Sequence, residues 1–484
     1  MYRKVYFVGI KGVGMATLAI IAKQAGFIVG GSDVDEEFIT DKILQDAKID
    51  ICKGFREDNV HDFFGTTPKW ECLMIATGAH GGFDNVEVKA VRGDGHTKII
   101  SHGEAVGLFM SGELFDRADI EGISVTGAHG KTTTSSMIAT FLMLLGFDPS
   151  YSIGTSEIVP IGAAGHFGKG RFFVAEADEY MAGAHDKTPK FLYQSPKFLI
   201  INNIDFDHPD FYRDIEDVAA SFSRLTSNLK SDSVLIANGD DENVKKIIKD
   251  QGNRIRVITF GTGTDNEFRL ANFRQNEWNS EFSVFRGVTK LADFKLSVPG
   301  YHNAKNATAA IAFLVEAGVS VPNIQKVLPQ FKGASRRLEQ VGLTASGAVV
   351  FDDYAHHPEE IRKTLEAIRA AYPEKKITVI FQAHTYERTR SMLSEFAASF
   401  AGVSELIILP TFASARHDAS TNLSEDMQFV EKVRAIQANV KLIESKRDVV
   451  KYLDQNRLGS DSIILTMGAG DVYKIGHELI SFAS

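Results

Sequence analysis

The sequence predicts an α/β protein of three domains, each built around a mostly parallel sheet. Three observations carry that expectation. Short apolar runs of strand length recur along the chain, each ending in a polar loop and often leading into a helical pattern. Glycine-rich turns follow two of these strands, at residues 9–14 and 127–130. Polar, turn-rich stretches at 111–121 and 331–337 interrupt the pattern and mark joints. The domains are accordingly expected at 1–118, 119–333 and 334–484: Rossmann-like, P-loop-ATPase-like and again Rossmann-like.

Composition narrows the class. A chain of 484 residues holds several full cores. Its formal charge of −9 argues against nucleic-acid binding through a broad basic surface. No apolar run approaches the ~20 residues of a membrane span, and Met1-Tyr2-Arg3-Lys4 leads directly into a strand, not a signal peptide. Cys52 and Cys72 are far apart and lack metal-ligand spacing, which suits a reducing, cytoplasmic setting. Small-molecule substrates are therefore expected, with neither nucleic acid nor membrane as partner. The 34 phenylalanines read as core filling.

The first strand, Val5-Tyr6-Phe7-Val8, runs into Gly9-Ile10-Lys11-Gly12-Val13-Gly14-Met15 and a helix over 16–25. A second strand ends at Gly30-Gly31-Ser32-Asp33, with Asp33 where a ribose-binding acid sits in dinucleotide-binding units. The glycine order is G-x-x-G-x-G rather than G-x-G-x-x-G, which weakens an NAD(P) reading, and an oxidoreductase with it. The turn also suits plain helix–strand packing. Later strands end at Thr77-Gly78 and at His102, and Asn85 lies on a similar loop, where open α/β sheets bind ligands. Each of these alone also suits a structural polar group.

The second domain opens with the strand Ile123-Ser124-Val125, then Thr126-Gly127-Ala128-His129-Gly130-Lys131-Thr132-Thr133, then a helical pattern from Ser136. Strand, glycine loop, Lys-Thr and helix surround a polyphosphate with backbone N–H groups and a helix N-terminus. Lys131 reaches the β- and γ-phosphates, and the Thr132 hydroxyl is placed to ligate Mg²⁺. The full P-loop pattern wants glycine at 125, where valine stands, so the match is to the shorter G-x-x-G-K-T. A turn with a solvated lysine is the bland alternative; the periodicity on both flanks argues against it.

Two further strands end in acids, at Glu176-Ala177-Asp178-Glu179 and at Asn203-Ile204-Asp205-Phe206-Asp207-His208. Carboxylates beside a phosphate loop suit hard Mg²⁺. Glu176, the first polar residue after its strand, is the preferred ligand; His208 is a second-cation ligand or a hydrogen-bonded loop histidine. Asn303 and Asn306 share a helix face and suit an adenine edge, though an N-cap explains one of them equally. Arg336-Arg337, in the link to the third domain, are solvated or bind phosphate oxygens on closure. The third domain sets four polar loops at one sheet edge: Asp352 to Pro358, Gln382 to Arg390, 411–418 and 468–471.

This ordered set of motifs resembles the Mur ligase family, the ATP-dependent amino-acid ligases of peptidoglycan precursor synthesis, and the likeness runs through all three domains. The resemblance implies that Gly127, Ala128, His129, Gly130, Lys131, Thr132 and Thr133 hold the ATP phosphates. Asn303 and Asn306 then serve adenine, and Arg336, Arg337 and Asp353 close on the nucleotide. Thr132, Glu176 and His208 ligate one or two Mg²⁺ ions. Gly12, Val13, Gly14, Met15, Ser32, Asp33, Thr77, Gly78 and His102 hold the UDP part of a UDP-muramoyl substrate, not NAD. Lys131, Glu176, His208, His356, His384 and Arg388 are the implied catalytic set. Family members phosphorylate a carboxylate with ATP and let an amine attack the acyl phosphate.

Some members place a carbamoylated lysine shortly after the Asp-His stretch; residues 210–225 contain no lysine. That matches the subgroup adding L-alanine to UDP-N-acetylmuramate and the recycling ligase adding L-alanyl-γ-D-glutamyl-meso-diaminopimelate. Phe381-Gln382-Ala383-His384-Thr385-Tyr386-Glu387-Arg388-Thr389 is similar to the first group's F-Q-P-H-R-Y-x-R-T, with Ala383 for proline and Thr385 for arginine. Arg390 or Arg416 are the stand-ins for that arginine. The insert at 180–194, with Asp186-Lys187 and Lys190-Phe191, is more like the second group. L-alanine ligation is the expected function, since the third domain brings the amine. The expected assembly is a monomer or homodimer.

Overall fold

The computed structural model describes residues 2–93, 95–183, 186–252, 254–412 and 422–481. Arg416, with most of the 411–418 loop, lies outside the described residues. Among the described residues, no helix is long and apolar enough to cross a membrane.

Three main sheets follow one another along the chain. The first holds β1 (Lys4–Val8), β2 (Ile28–Asp33), β3 (Asp50–Lys53), β4 (Cys72–Ala76) and β5 (Lys98–Ser101). All are parallel, in the order β3-β2-β1-β4-β5. The chain winds outward from β1 to β3 and returns to β4 on the other flank of β1. That reversal opens a crevice between the loops after β1 and β4, where such sheets take ligands.

The second sheet contains β6 (Glu121–Thr126), β7 (Ser150–Val159), β8 (Gly162–His166) and β9 (Phe172–Glu176). After a small ribbon of β10 (Met181–Gly183) and β11 (Asp186–Pro189) come β12 (Phe198–Ile201), β13 (Val234–Asn238) and β14 (Arg256–Gly261). A meander of β15 (Phe268–Asn276), β16 (Asn279–Arg286) and β17 (Thr289–Leu296) follows, and β18 (Gly333–Ala334) returns to pair with β7. The order is β17-β16-β15-β14-β13-β12-β6-β9-β7-β18, with β8 paired to β7. Its central strands are buried on both faces: Ile123, Val125, Val174 and Ile200 are inaccessible to solvent, as are the small polar Ser124 and Thr126. Because β6 lies between β9 and β12, the loop after it lies between their acidic loops.

The third sheet runs β19-β20-β24-β21-β22-β23. Its strands are β19 (Glu339–Leu343), β20 (Val349–Asp353), β21 (Lys376–His384), β22 (Glu405–Phe412), β23 (Val440–Leu442) and β24 (Ser462–Met467). All but β19 pair in parallel.

The first two domains share a tight seam. The helix Val13–Gln24 lies between the first sheet and β7–β8, so it is apolar nearly all round rather than on one stripe. Thr17 Oγ1 meets Ser152 Oγ at 2.7 Å across the seam. A Cβ on Gly165 would stand 2.5 Å from the Thr17 carbonyl oxygen, so the two backbones are in direct contact there.

Candidate functional site

The loop after β6 turns through Gly127 (φ +130°) and Gly130 (φ +80°), conformations that glycine adopts without strain. Close packing also excludes a side chain. A Cβ at Gly127 would lie 2.9 Å from Asn203 backbone atoms, and one at Gly130 would lie 2.7 Å from Asn306 Oδ1. His129 N donates to Asn203 Oδ1 and Asn203 Nδ2 donates to the His129 carbonyl, both at 2.9 Å. Lys131 opens the helix Lys131–Leu144, donates to the Gly127 carbonyl at 2.7 Å and meets both Glu179 oxygens at 3.0 and 2.9 Å. Burial works against its charge, but Glu179, with Asp178 and Glu176, holds Lys131 above its ordinary pKa.

The acids behind this lysine divide into two groups. Glu176 accepts the Gly154 N–H at 2.6 Å. Burial raises its pKa, opposed first by Arg337, and Thr132 and Lys131 also face it. Arg337 Nη2 donates to Thr132 Oγ1 at 2.8 Å, which brings the interdomain link onto the phosphate loop. Asp178, Glu179 and His208 form the second group, with one ligand atom from each within 4.8 Å of the others. Lys190 pairs with Asp178 at 2.7 Å. These oxygen-rich groups fit a hard cation.

His129, Asp205 and His357 are equally close, but their chemistry differs. His357 Nδ1 faces the backbone N–H of Glu359 at 3.3 Å and so accepts. A metal-bound imidazole donates from its other nitrogen, so this trio does not fit a metal held by His357.

A cavity of about 740 Å³ opens between the second and third domains. His129, Gly130, Thr133, Asn306, Arg337 and Asp353 lie in its wall. Asn303 lines it too, with its amide committed to the Pro299 carbonyl at 2.7 Å. Asp353 is pushed up to about 6 by burial, against the opposing pull of Arg337. The adjacent arginines part company here. Arg336 turns away from the phosphate loop, pairs with Asp352 at 3.0 Å and donates to the Gly468 and Gly470 carbonyls. Its guanidinium also lies over the Tyr354 and Tyr473 rings. Its donors hold the third domain together, so of the two arginines expected at the nucleotide only Arg337 reaches the loop after β6.

The third domain contributes His356, His384 and Arg388. Arg388 Nε meets Asp207 of the second domain at 2.8 Å with both side chains buried, and Arg388 Nη1 meets His384 Nδ1 at 3.3 Å. Burial, then Arg388, pushes His356 down to about 4. Thr385 has φ +66°, a strained conformation for a β-branched residue. Arg390, one stand-in for the missing arginine, pairs with Glu425 at 2.9 Å on the surface.

Glu360, which the motifs did not single out, ties these parts together. It accepts from the His356 N–H at 3.1 Å and meets His129 Nδ1 at 3.4 Å, while His129 Nε2 meets Asp205 at 3.3 Å. Its only sequence signal is its place in the first turn of the helix Pro358–Ala371. Burial opposes the charge on His129, but Asp205 and Glu360 raise it to about 9. A raised imidazole pKa stabilises the fold fully below the unfolded value of ~6.5, and the contribution is lost as pH rises through about 9. His129→Gln is therefore expected to lower the melting temperature at pH 6 and to differ little from wild type at pH 10. A melting difference that does not change with pH would refute the charged clasp.

In the first domain, Gly12, Val13, Gly14 and Met15 start the helix at the crevice beside β1. A Cβ on Gly14 would stand 2.5 Å from His102 Nε2, and one on Gly9 the same distance from the Thr77 methyl, so the turn, Thr77 and His102 pack together. Gly78 faces the Ala182 carbonyl of the second domain's ribbon. Asp33 accepts the Lys11 N–H at 2.7 Å and the Val34 N–H at 2.8 Å, bracing the glycine turn. Ser32 is fully buried and donates to Glu87, which also accepts from Asn59 Nδ2 at 2.6 Å. Ser32 thus supports the crevice from behind instead of lining it.

Comparison with known proteins agrees with this architecture. The chain matches the Mur ligase family catalytic domain over residues 4–112, the Mur ligase middle domain over 125–314 and the Mur ligase glutamate ligase domain over 336–470. It is 36% identical to the UDP-N-acetylmuramate–L-alanine ligase of Desulfitobacterium hafniense, over 98% of this chain and 99% of that protein. Identity to the Caldanaerobacter subterraneus protein of the same name is 34%, over 99% and 97%. The solved UDP-N-acetylmuramate–alanine ligase of Thermotoga maritima shares the fold, with a TM-score of 0.79 at 24% identity over 99% of both chains. A murein peptide ligase from Psychrobacter arcticus does so with a TM-score of 0.73 at 22% identity over 99% and 98%. With three domain models matched in order and relatives above 30% identity along its whole length, the chain belongs to the Mur ligase family.

Proposed function

We propose that this chain is an ATP-dependent ligase that joins L-alanine to the carboxylate of UDP-N-acetylmuramate in peptidoglycan precursor synthesis, in the cytoplasm. The observation that carries it is the convergence of Lys131, Arg337 and the acids around Glu176 and His208 at the junction of three domains. The curated relatives named above carry that activity in their names. Domains 1–118, 119–333 and 334–484 then hold the UDP-sugar, the ATP and the amino acid.

ATP fits the 740 Å³ cavity, with its phosphates against residues 127–133 at the helix N-terminus. Lys131 and Arg337 face the γ-phosphoryl group, where charge spreads over the equatorial oxygens during transfer. Thr132, Glu176 and His208, with Asp178 and Glu179 beside them, would hold Mg²⁺, which supplies further positive charge against the phosphates. A substrate carboxylate oxygen attacks the γ-phosphorus and ADP leaves. The amine nitrogen then attacks the acyl carbon and phosphate leaves. His384, held by Arg388, orients the incoming amine.

A tripeptide amine is the second reading. The β10–β11 ribbon and the turn Lys190–Tyr193 favour it, because they form a wall between the first domain and Asp178. Thr385, in place of the arginine, leaves room for the same change. Phosphate release with UDP-N-acetylmuramate, ATP and each amine in turn decides. L-alanine is expected to be preferred, roughly 10–200-fold over glycine, since one methyl group gains little in a small pocket. Turnover with the tripeptide and none with L-alanine would replace this reading with the second.

A further inference from the structure

The contacts described so far between the second and third domains are polar and lie at the reacting centre. One apolar contact lies elsewhere, at the outer rim of the nucleotide cavity. Strands β15 and β16 pair as far as Asn276 and Asn279, so the hairpin closes on the two residues Glu277 and Trp278. Glu277 takes φ +51°, and the tight turn presents the Trp278 ring to the third domain. That ring stacks on Phe351 of β20, with centroids 5.0 Å apart and planes 17° apart. Tyr372, at the end of the helix Pro358–Ala371, completes the cluster at 6.1 Å from both rings.

Two features connect this contact to the cavity. Phe351 and Asp353 are two residues apart on β20 and so share a face of the strand. Asp353 lines the cavity and accepts from Thr364 of the same helix at 2.9 Å. On the hairpin, Gln275 accepts the Gly300 N–H at 2.9 Å and donates to the Ala367 carbonyl at 3.0 Å; all three residues line the cavity. The hairpin therefore braces both the strand and the helix that the third domain brings to the nucleotide.

We propose that Trp278 is a positioning residue for the nucleotide: the hairpin tip seats the third domain over the cavity through Phe351 and Tyr372, and Trp278 itself touches neither substrate. The inference rests on the ATP-dependent reading given above. Seating and nucleotide binding are then thermodynamically coupled, so loss of one weakens the other by the same factor.

Trp278→Ala and Trp278→Phe, assayed by phosphate release, test it. Trp278→Ala is expected to raise the KM for ATP roughly 5- to 50-fold with a smaller change in kcat. The KM for the UDP-sugar should stay within about twofold, and Trp278→Phe should restore most of the ATP affinity. An unchanged KM for ATP, or an equal rise for both substrates, would overturn the role while leaving the ligase reading intact. A wild type without ATP-dependent phosphate release would overturn both. Should the alanine variant not fold, Trp70→Phe makes Trp278 the sole tryptophan, because the chain has only two and Trp70 is 69% exposed. Acrylamide quenching of Trp278 should then fall when a non-hydrolysable ATP analogue is added. Unchanged quenching would reject the coupling.

Discussion

Lys131→Ala is expected to reduce ligation by roughly 10²–10³-fold, the usual effect of losing one preorganised charge stabiliser. UDP-N-acetylmuramate binding should remain close to that of the wild type. Lys131 lies at the second domain's phosphate loop, whereas the crevice between β1 and β4 belongs to the first. The variant also leaves Glu179 without its main cation. Lys131 touches both oxygens of that carboxylate, and Glu179 is 2% exposed. Some destabilisation is therefore expected, and Lys131→Arg, which keeps the charge but not the reach, serves as the control. Calorimetry with the UDP-sugar and phosphate-release kinetics give the two readouts. Loss of UDP-sugar binding in Lys131→Ala would overturn the division of labour between the domains.

The glycine turn between β6 and the helix Lys131–Leu144 was legible in the sequence because its signal is local. Glycines at 127 and 130, Lys131 and Thr132 are contiguous, and one strand and one helix place them. The parallel strands were legible for a related reason: burial on both faces leaves an unbroken apolar run, as in Phe198–Ile201. Strand β7 gives no such signal. Its sequence, Ser150–Val159, mixes serine, glycine and glutamate, because one part pairs in the sheet while another faces the helix Val13–Gln24. The ribbon β10–β11 is too short to show a period.

At the site, Glu179 and Glu360 gain their roles only from the assembled fold. Glu179 meets Lys131 across 48 residues and Glu360 meets His129 across 231. Nothing near either residue in the chain announces its partner. Arg336 and Arg337 illustrate the same limit in a single dipeptide. Both are arginines in one link, yet the left-handed backbone at Arg336 (φ +61°) accompanies a split that sends one guanidinium into the third domain and the other to Thr132. Ser32 is the reverse case, a polar residue at a strand end that the fold buries against Glu87.

Arg388→Ala is expected to lower kcat/KM by roughly 10²–10⁴-fold, because removing one partner of a buried ion pair costs about 3–5 kcal/mol. Arg388 and Asp207 belong to different domains, lie 2.8 Å apart and have side chains only 5% and 7% exposed. Despite burial, His208 and then Arg388 hold the Asp207 carboxylate well below the usual range, so it is ionised at neutral pH. Without Arg388, that charge stays buried beneath a docked third domain, and the domain seats less readily. His384 also loses the N–H donor that meets its Nδ1. Two roles for the arginine predict different behaviour in a double-mutant cycle with Asp207→Ala. If Arg388 serves only to dock the domain, removing Asp207 as well relieves the unpaired charge, and the double variant outperforms Arg388→Ala. If Arg388 also binds the carboxylate of the incoming amino acid, the double variant recovers only the docking share of the loss and the KM for L-alanine stays raised in both. A single variant with kcat/KM within about threefold of wild type would show that the buried pair contributes neither to docking nor to catalysis.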